Sequence, residues 1–179
     1  AVEKQMKEAQ KNISSKKKEI YDSSHPNYSP KGYDVTIVEF YDYNCGYCKK
    51  ANKTVEELIK SDKKVRVIYR DFPILGEVSK QISQVSVAVS LTEKRKFRKF
   101  HNALMSSRVS SKEAAIKLAG KVGVNVSKLR NTLKSKQKKI DQILQDNIML
   151  GSQIGINGTP AFVIGEELVP GAVELGSLQ

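Results

Sequence analysis

Cysteine is scarce here: the 179 residues include two, Cys45 and Cys48, and the chain has only two histidines, His25 and His101. A structural zinc site wants four ligands, usually as two Cys or His pairs at similar spacing, and no second pair exists. No run approaches the roughly 18 apolar residues of a membrane helix. The opening "AVEKQMKEAQ" lacks the apolar core of a signal peptide, so the chain reads either as cytosolic or as a mature or trimmed form. Internal repeats and low-complexity tracts are absent. Aromatic interleaving and Arg-Gly repeats, the companions of basic charge in many nucleic-acid binders, are missing too, and no nucleic-acid partner is expected.

What is present describes a folded chain, 39% apolar and 28% charged, of a length suited to one domain or one domain with an insertion. The net charge of +12 is localised. Residues 79 to 150 hold 16 Lys and Arg against 4 acids, while the remainder holds 15 of each. That segment reads either as a solvated helical face or as a docking surface for an acidic partner or membrane.

Residues 1 to 23 suggest a polar helix with a weak heptad seam of Val2, Met6, Ala9, Ile13 and Ile20, Lys16 filling the slot between the last two. The helix is read either as laid on the domain or as an oligomerisation arm. "SSHPNYSPKGY" breaks it and reads as a linker. "VTIVEFY" (35 to 41) and "VRVIYRDF" (65 to 72) are β-branched and aromatic runs flanking "CGYCKKANKTVEELIKS", a helix with Val55, Leu58 and Ile59 on one side. Strand, helix, strand implies a parallel pair in an α/β sheet. Helices are expected near 79–91, 93–107, 111–121, 126–135 and 137–153, with Ser111 as an N-cap and Gly123 as a stop. "TPAFVIG" and "ELVPGAV" return to strand, and "ELGSLQ" looks like the start of a helix. The organisation is an arm over 1–25, half a sheet over 26–78, a helical insertion over 79–155 and the other sheet half over 156–179. Neither half could bury itself alone.

Cys-x-x-Cys with no further ligands leaves dithiol redox chemistry. Cys45 follows a strand and opens a helix, where free backbone N–H groups and the helix dipole favour the thiolate that attacks disulfides. Cys48, one turn in, can attack the resulting mixed disulfide. Gly46 and Tyr47 help set how strongly the thiolate is favoured. Glu39 interrupts a strand expected to be covered on both faces, where a carboxylate is costly without a partner or a task. It is read as a proton-exchange group beneath Cys48, the alternative being an acid on a solvated edge. Pro160 begins a strand, where proline is normally excluded. A cis peptide after Thr159 would bring that loop against another site, and the Cys pair favours this over a trans structural proline.

Through "VEFYDYNCGYC", "VRVIYRDFPILG", the helical insertion and "GINGTPAFVIG", residues 33 to 178 resemble the DsbA-type thiol–disulfide oxidoreductases. The resemblance implies a thioredoxin fold: a central mixed β-sheet with a helical insertion, here joined to the N-terminal arm. It implies Glu39 as the buried proton-transfer group, Cys45 as nucleophile and Cys48 as the resolving thiol. Thr159 and Pro160 would form the loop that faces the cysteines and binds extended substrate, with Gly46 and Tyr47 beside it. Gly-Tyr between the cysteines, where strong oxidases of the family carry Pro-His, and Thr before the proline, where they carry Val, look more like the ScsC-like and DsbC- or DsbG-like branch of isomerases and reductases. That branch is often oligomeric and adds weight to residues 1–23 as a homo-oligomer arm.

Implied with it are a periplasmic setting, unfolded or misfolded secreted proteins as substrates, and a membrane redox partner of the DsbB or DsbD kind. No cofactor or metal is expected. The alternatives are a DsbA-like oxidase that introduces disulfides, and a thioredoxin-like chaperone or binding module whose thiols are incidental.

Overall fold

A computed structural model describes residues 1–171; "ELGSLQ", where a helix start is expected, lies outside them. Strand β2 (Val35–Tyr41) is central: it pairs along its whole length in parallel with β3 (Val65–Asp71) and, from Ile37 to Phe40, antiparallel with β4 (Ala161–Ile164). Strand β5 (Glu167–Pro170) extends the sheet beyond β4, and β1 (Asn27–Tyr28) pairs antiparallel with β3 at the other edge, giving the order β1-β3-β2-β4-β5. This is the mixed α/β sheet expected of the thioredoxin fold.

Period-two alternation along β2 and β3 divides two cores. Ile37 and Tyr41 of β2, with Val67 and Tyr69 of β3, face one cluster. Helices α3 (Gly46–Ser61), α4 (Glu77–Thr92), α5 (Phe97–Met105), α6 (Lys112–Lys121) and α7 (Val126–Ser135) each contribute residues to it, as does the first part of α8 (Gln137–Gln153). Val38, Phe40 and Ile68 face a second cluster, closed by Leu150 and Ile154 at the end of α8 and by Ile13 and Ile20. Beyond β3, helix placement follows the expectation within two residues except in one place: 93–107 is a short 3-10 turn, Lys94–Lys96, running into α5. Ser111 caps α6 by accepting from the Ala114 backbone N–H at 3.0 Å, and Gly123 beyond it has φ +101°, the left-handed stop that suits glycine. Gly151 has a packing reason. A Cβ there would lie 2.4 Å from Phe72 Cε1, so only glycine lets α8 approach the end of β3 this closely.

Two expectations need correcting. The N-terminal segment is two helices, α1 (Val2–Ser15) and α2 (Lys17–Ile20), parted at Lys16. Its seam is divided as well, since Ile13 and Ile20 are fully buried while Val2 and Met6 stay 70% and 60% exposed. The C-terminal part is therefore laid on the sheet, where each isoleucine contributes roughly 1.5–3 kcal/mol by leaving water. The stretch "SSHPNYSPKGY" is also more than a linker, because it contains edge strand β1. Strands of two residues between prolines leave no periodicity to detect.

Arg70 ties the arm to the domain. Period two puts it on the second face, at 1% exposure. Its guanidinium donates to the Glu19 and Ile20 carbonyls at the end of α2, to Asn147 Oδ1 at 2.9 Å and to His25 Nε2 at 2.8 Å. All four are neutral acceptors, and two belong to the negative end of a helix.

Candidate active site

Cys45 is the N-cap of α3, with extended backbone (φ −92°, ψ 117°). Its Sγ takes the part a Ser or Asp oxygen plays elsewhere, accepting from the Cys48 backbone N–H at 3.1 Å. The Sγ–H also donates to the Thr159 carbonyl at 3.5 Å. The two thiols are not bonded to one another. Cys45 is 7% exposed, enough to reach the surface, whereas Cys48 is fully buried.

Their environments drive the two sulfurs apart. Hydrogen bonding from the Cys48 side chain is the chief cause that lowers the Cys45 pKa to about 6, with the Thr159 side chain and the Cys48 and Tyr47 backbone adding to it against the effect of burial. Cys48 is pushed far up, first by its bond to Cys45 and then by burial. At neutral pH the pair therefore holds one thiolate, at the sulfur nearer the surface.

Pro160 is buried, and the Thr159–Pro160 peptide is cis. The chain thus returns after 114 residues to lay a backbone carbonyl against Cys45. Tyr47 projects outward at 70% exposure. At Gly46 an added Cβ would meet nothing within 4 Å, so packing does not demand glycine there.

Glu39 shares the face of β2 that carries Ile37 and Tyr41, with Tyr69 and Phe162 as its strand partners. It is fully buried, and neither carboxylate oxygen bonds to a protein group. Burial, then the charges of Glu56 and Cys45, raise its pKa to about 8. A carboxyl so placed changes protonation near neutrality. The solvated-edge alternative does not describe it.

Asp42 escaped the sequence reading. Fully buried, it accepts at Oδ1 from the Asn44 N–H (2.8 Å) and Ser79 Oγ (2.7 Å), and at Oδ2 from the N–H groups of Ile74 (2.9 Å) and Leu75 (3.0 Å). Its own carbonyl accepts from the Cys45 N–H at 3.1 Å. One carboxylate thereby fixes the turn that presents Cys45 to the loop after β3. An Asx turn two residues before Asn44 was legible; the partners from 74–79 were not. Lys49 was also missed. One turn beyond Cys45, its Nζ donates to the carbonyls of Leu104 (3.1 Å) and Ser107 (2.6 Å) and joins α3 to the end of α5.

Among the described residues no three His, Cys, Asp or Glu converge as a metal site would, and no helix is long and apolar enough to cross a membrane. The arrangement suits attack by one sulfur and release by the other.

Residues 36–179 match the DSBA-like thioredoxin domain. In structure the chain is similar to the thiol-disulfide exchange protein alpha-DsbA2 of Wolbachia pipientis, at 31% identity and TM-score 0.89, covering 95% of this chain and 91% of that one. It is similar to a linker-deletion variant of Proteus mirabilis ScsC, at 30% identity and TM-score 0.82, covering 98% and 81%. A periplasmic thioredoxin-like protein from Salmonella enterica serovar Typhimurium matches at 27% identity and TM-score 0.78, covering 90% of each chain. Curated relatives are much longer: the Na(+)/H(+) antiporters NhaA 3 of Salinispora tropica (24% identical over 75% of this chain) and NhaA 1 of Salinispora arenicola (22% over 83%). The chain spans only 21% and 23% of their lengths.

Proposed function

The chain belongs to the DSBA-like thioredoxin domain family, and on that premise we propose that it exchanges disulfides with exported proteins through Cys45 and Cys48, working as an isomerase or reductase. The observation that carries this reading is the inequality of the two sulfurs: Cys45, which keeps 7% of its surface open and has its pKa near 6, and a fully buried Cys48 whose thiol is held protonated.

The Cys45 thiolate attacks a client disulfide. A Cys45–client bond forms as the client S–S bond breaks, and the departing client thiolate takes a proton from water. Two exits follow. In isomerisation a second client thiolate attacks the client sulfur of the mixed disulfide, forming a new client disulfide and returning Cys45 as thiolate, with no net electron transfer. In reduction Cys48 gives up its proton, with Glu39 in its ionised form as the acceptor, and attacks Cys45 Sγ. The Cys45–Cys48 disulfide forms, and the client leaves with both sulfurs reduced by two electrons in all. The Thr159 carbonyl and the Pro160 loop beside Cys45 hold the client backbone, with Gly46 and Tyr47 at the rim.

Thr before the proline, Gly-Tyr between the cysteines and the likeness to Proteus mirabilis ScsC support isomerisation over oxidation. A membrane redox partner resets the pair, and the periplasm is the compartment, as for the Salmonella neighbour. Exposed Val2 and Met6 on α1 support the arm as a self-association segment.

Scrambled and fully reduced ribonuclease test the direction. Recovery of activity from scrambled enzyme in a glutathione buffer should outpace oxidation of the reduced enzyme by the oxidised Cys45–Cys48 pair. Rapid oxidation with no rescue of scrambled substrate would establish the oxidase instead. If Cys45→Ser changes neither assay, the thiols are incidental.

A further inference from the structure

Gly46, Lys49, Lys50 and Lys53 are spaced i, i+3, i+4, i+7, so they share one face of α3, the helix that Cys45 caps. That face walls a groove of about 730 Å³, with Asn44 at the cysteine end and Arg108, in the loop after α5, among the other lining residues. Lys49 is fixed by the Leu104 and Ser107 carbonyls. Burial and then the nearby Arg108 charge lower its pKa, which places two cations within reach of each other. The ion pairs among the described residues are Arg98–Glu56 and Arg130–Glu113, and neither enters the groove. Four cations thus line one cleft beside the nucleophile with no carboxylate paired to them. Like charges within a Debye length, about 8 Å at physiological salt, repel one another unless an anion joins them.

We propose that this groove is a client subsite for carboxylate side chains, so that the protein favours cysteines flanked by Asp or Glu. This deepens, and rests on, the thiol-exchange reading above. The stripe from Gly46 to Lys53 spans seven helical steps, about 10 Å. An extended client advances about 3.3 Å per residue. With its sulfur at Cys45, the client therefore presents its first three residues on one side to Lys50, Lys53 and Arg108. Acidic residues there meet the cations before and during attack and raise the encounter rate.

The test uses short peptides with one cysteine blocked as a mixed disulfide with thionitrobenzoate, and Asp, Asn or Lys two or three residues to either side. Attack by Cys45 forms the Cys45–peptide bond and expels the coloured thionitrobenzoate thiolate. On one side of the cysteine, Asp peptides should react about five- to tenfold faster than Asn peptides at low salt, and Lys peptides slower. The Asp-to-Asn ratio should fall towards one in roughly 0.5 M NaCl, and to below about twofold in the Lys50→Gln, Lys53→Gln, Arg108→Gln protein. Lys49 is left in place because it holds α5. A ratio of one in the native protein overturns the proposal. So does a ratio that survives the triple substitution, which would trace to the overall positive charge. Fluorescence anisotropy with Cys45→Ser protein and peptides bearing serine for cysteine separates this from the exchange reading. If no peptide releases its thiolate, thiol exchange fails, and the groove is judged by whether Asp peptides still bind more tightly than Asn peptides.

Discussion

The Thr159 carbonyl stands 3.5 Å from Cys45 Sγ although 114 residues separate them. Helices α4 to α8 all lie in the intervening chain, and the central strand β2 gathers both ends of the excursion by pairing with β3 and β4. The site is therefore a product of the sheet. Cys45 comes from the turn after β2 and Thr159 from the turn before β4, and antiparallel pairing of those strands brings the two turns to one edge.

Cys45 should titrate with a midpoint near pH 6, read from thiolate absorbance near 240 nm in the reduced protein, and Cys48 should not ionise in the neutral range. A depressed pKa means that the folded, reduced state gains from the thiolate above the ordinary cysteine range, about 8.5, and loses that gain as pH falls through 6. Alkylation by iodoacetamide should accordingly level off above pH 7 and drop about tenfold per unit below 6. A midpoint at 8 or higher would remove the asymmetry on which the mechanism stands.

Glu39→Gln separates chemistry from stability. The buried carboxyl has its folded pKa raised to about 8. Its stabilising protonated state is complete below the unfolded value, near 4.3, and is lost as pH rises through 8, at up to about 1.4 kcal/mol per unit. The glutamine protein should match the native one at pH 4 and exceed it by several kcal/mol at pH 8 in urea unfolding. Reduction of a client disulfide should slow about tenfold or more for want of a proton acceptor at Cys48. A stability difference that does not change with pH would show that Glu39 is not titrating.

How legible all this was depends on where each residue finds its partners. Strand β2 and helix α3 could be read because "VTIVEFY" and "VEELI" carry their periods within a few residues. Glu39 stood out as a break in such a run. Arg70 did not: in "VRVIYRDF" two arginines alternate with apolar residues, yet Arg66 bonds Thr36 at the rim while Arg70 is buried against α2 and α8. Only the position of the arm distinguishes them. Asp42 was hidden for the same reason, since beyond Asn44 its donors lie 30 or more positions away.

Asp42→Ala should be among the most damaging single changes outside the cysteines. It leaves the N–H groups of Asn44, Ile74 and Leu75 and the Ser79 hydroxyl without their acceptor. The buried Ser79 hydroxyl is abandoned at roughly 1–3 kcal/mol and the three part-buried N–H groups, which water can reach, at less each, so a loss of about 2–4 kcal/mol in urea unfolding is expected. Because Asp42 also holds the turn carrying Cys45, the thiolate midpoint should rise in the same variant. Asp42→Asn keeps one good acceptor and should do about half the damage. An unchanged thiolate midpoint in the alanine protein would separate the turn from the nucleophile.

Arg70→Met tests whether the arm is part of the domain or merely rests on it. Methionine can occupy part of the space but cannot donate to the Glu19 and Ile20 carbonyls, so the end of α2 loses its charge-assisted bonds and Asn147 loses its donor. Each buried acceptor so left without its donor costs roughly 1–3 kcal/mol. Hydrogen exchange at residues 13–21 should then accelerate far more than exchange in β2 or α3, because Ile13 and Ile20 are held against the sheet partly through that joint. Acid should weaken the same joint in the native protein. Burial, then the Arg70 charge, hold the His25 pKa near 4, below its unfolded value. Protonation as pH falls through that range sets a second cation against the guanidinium and ends the bond. If exchange over 13–21 is as slow in Arg70→Met as in the native chain, apolar contact alone docks the arm and the guanidinium is incidental to it.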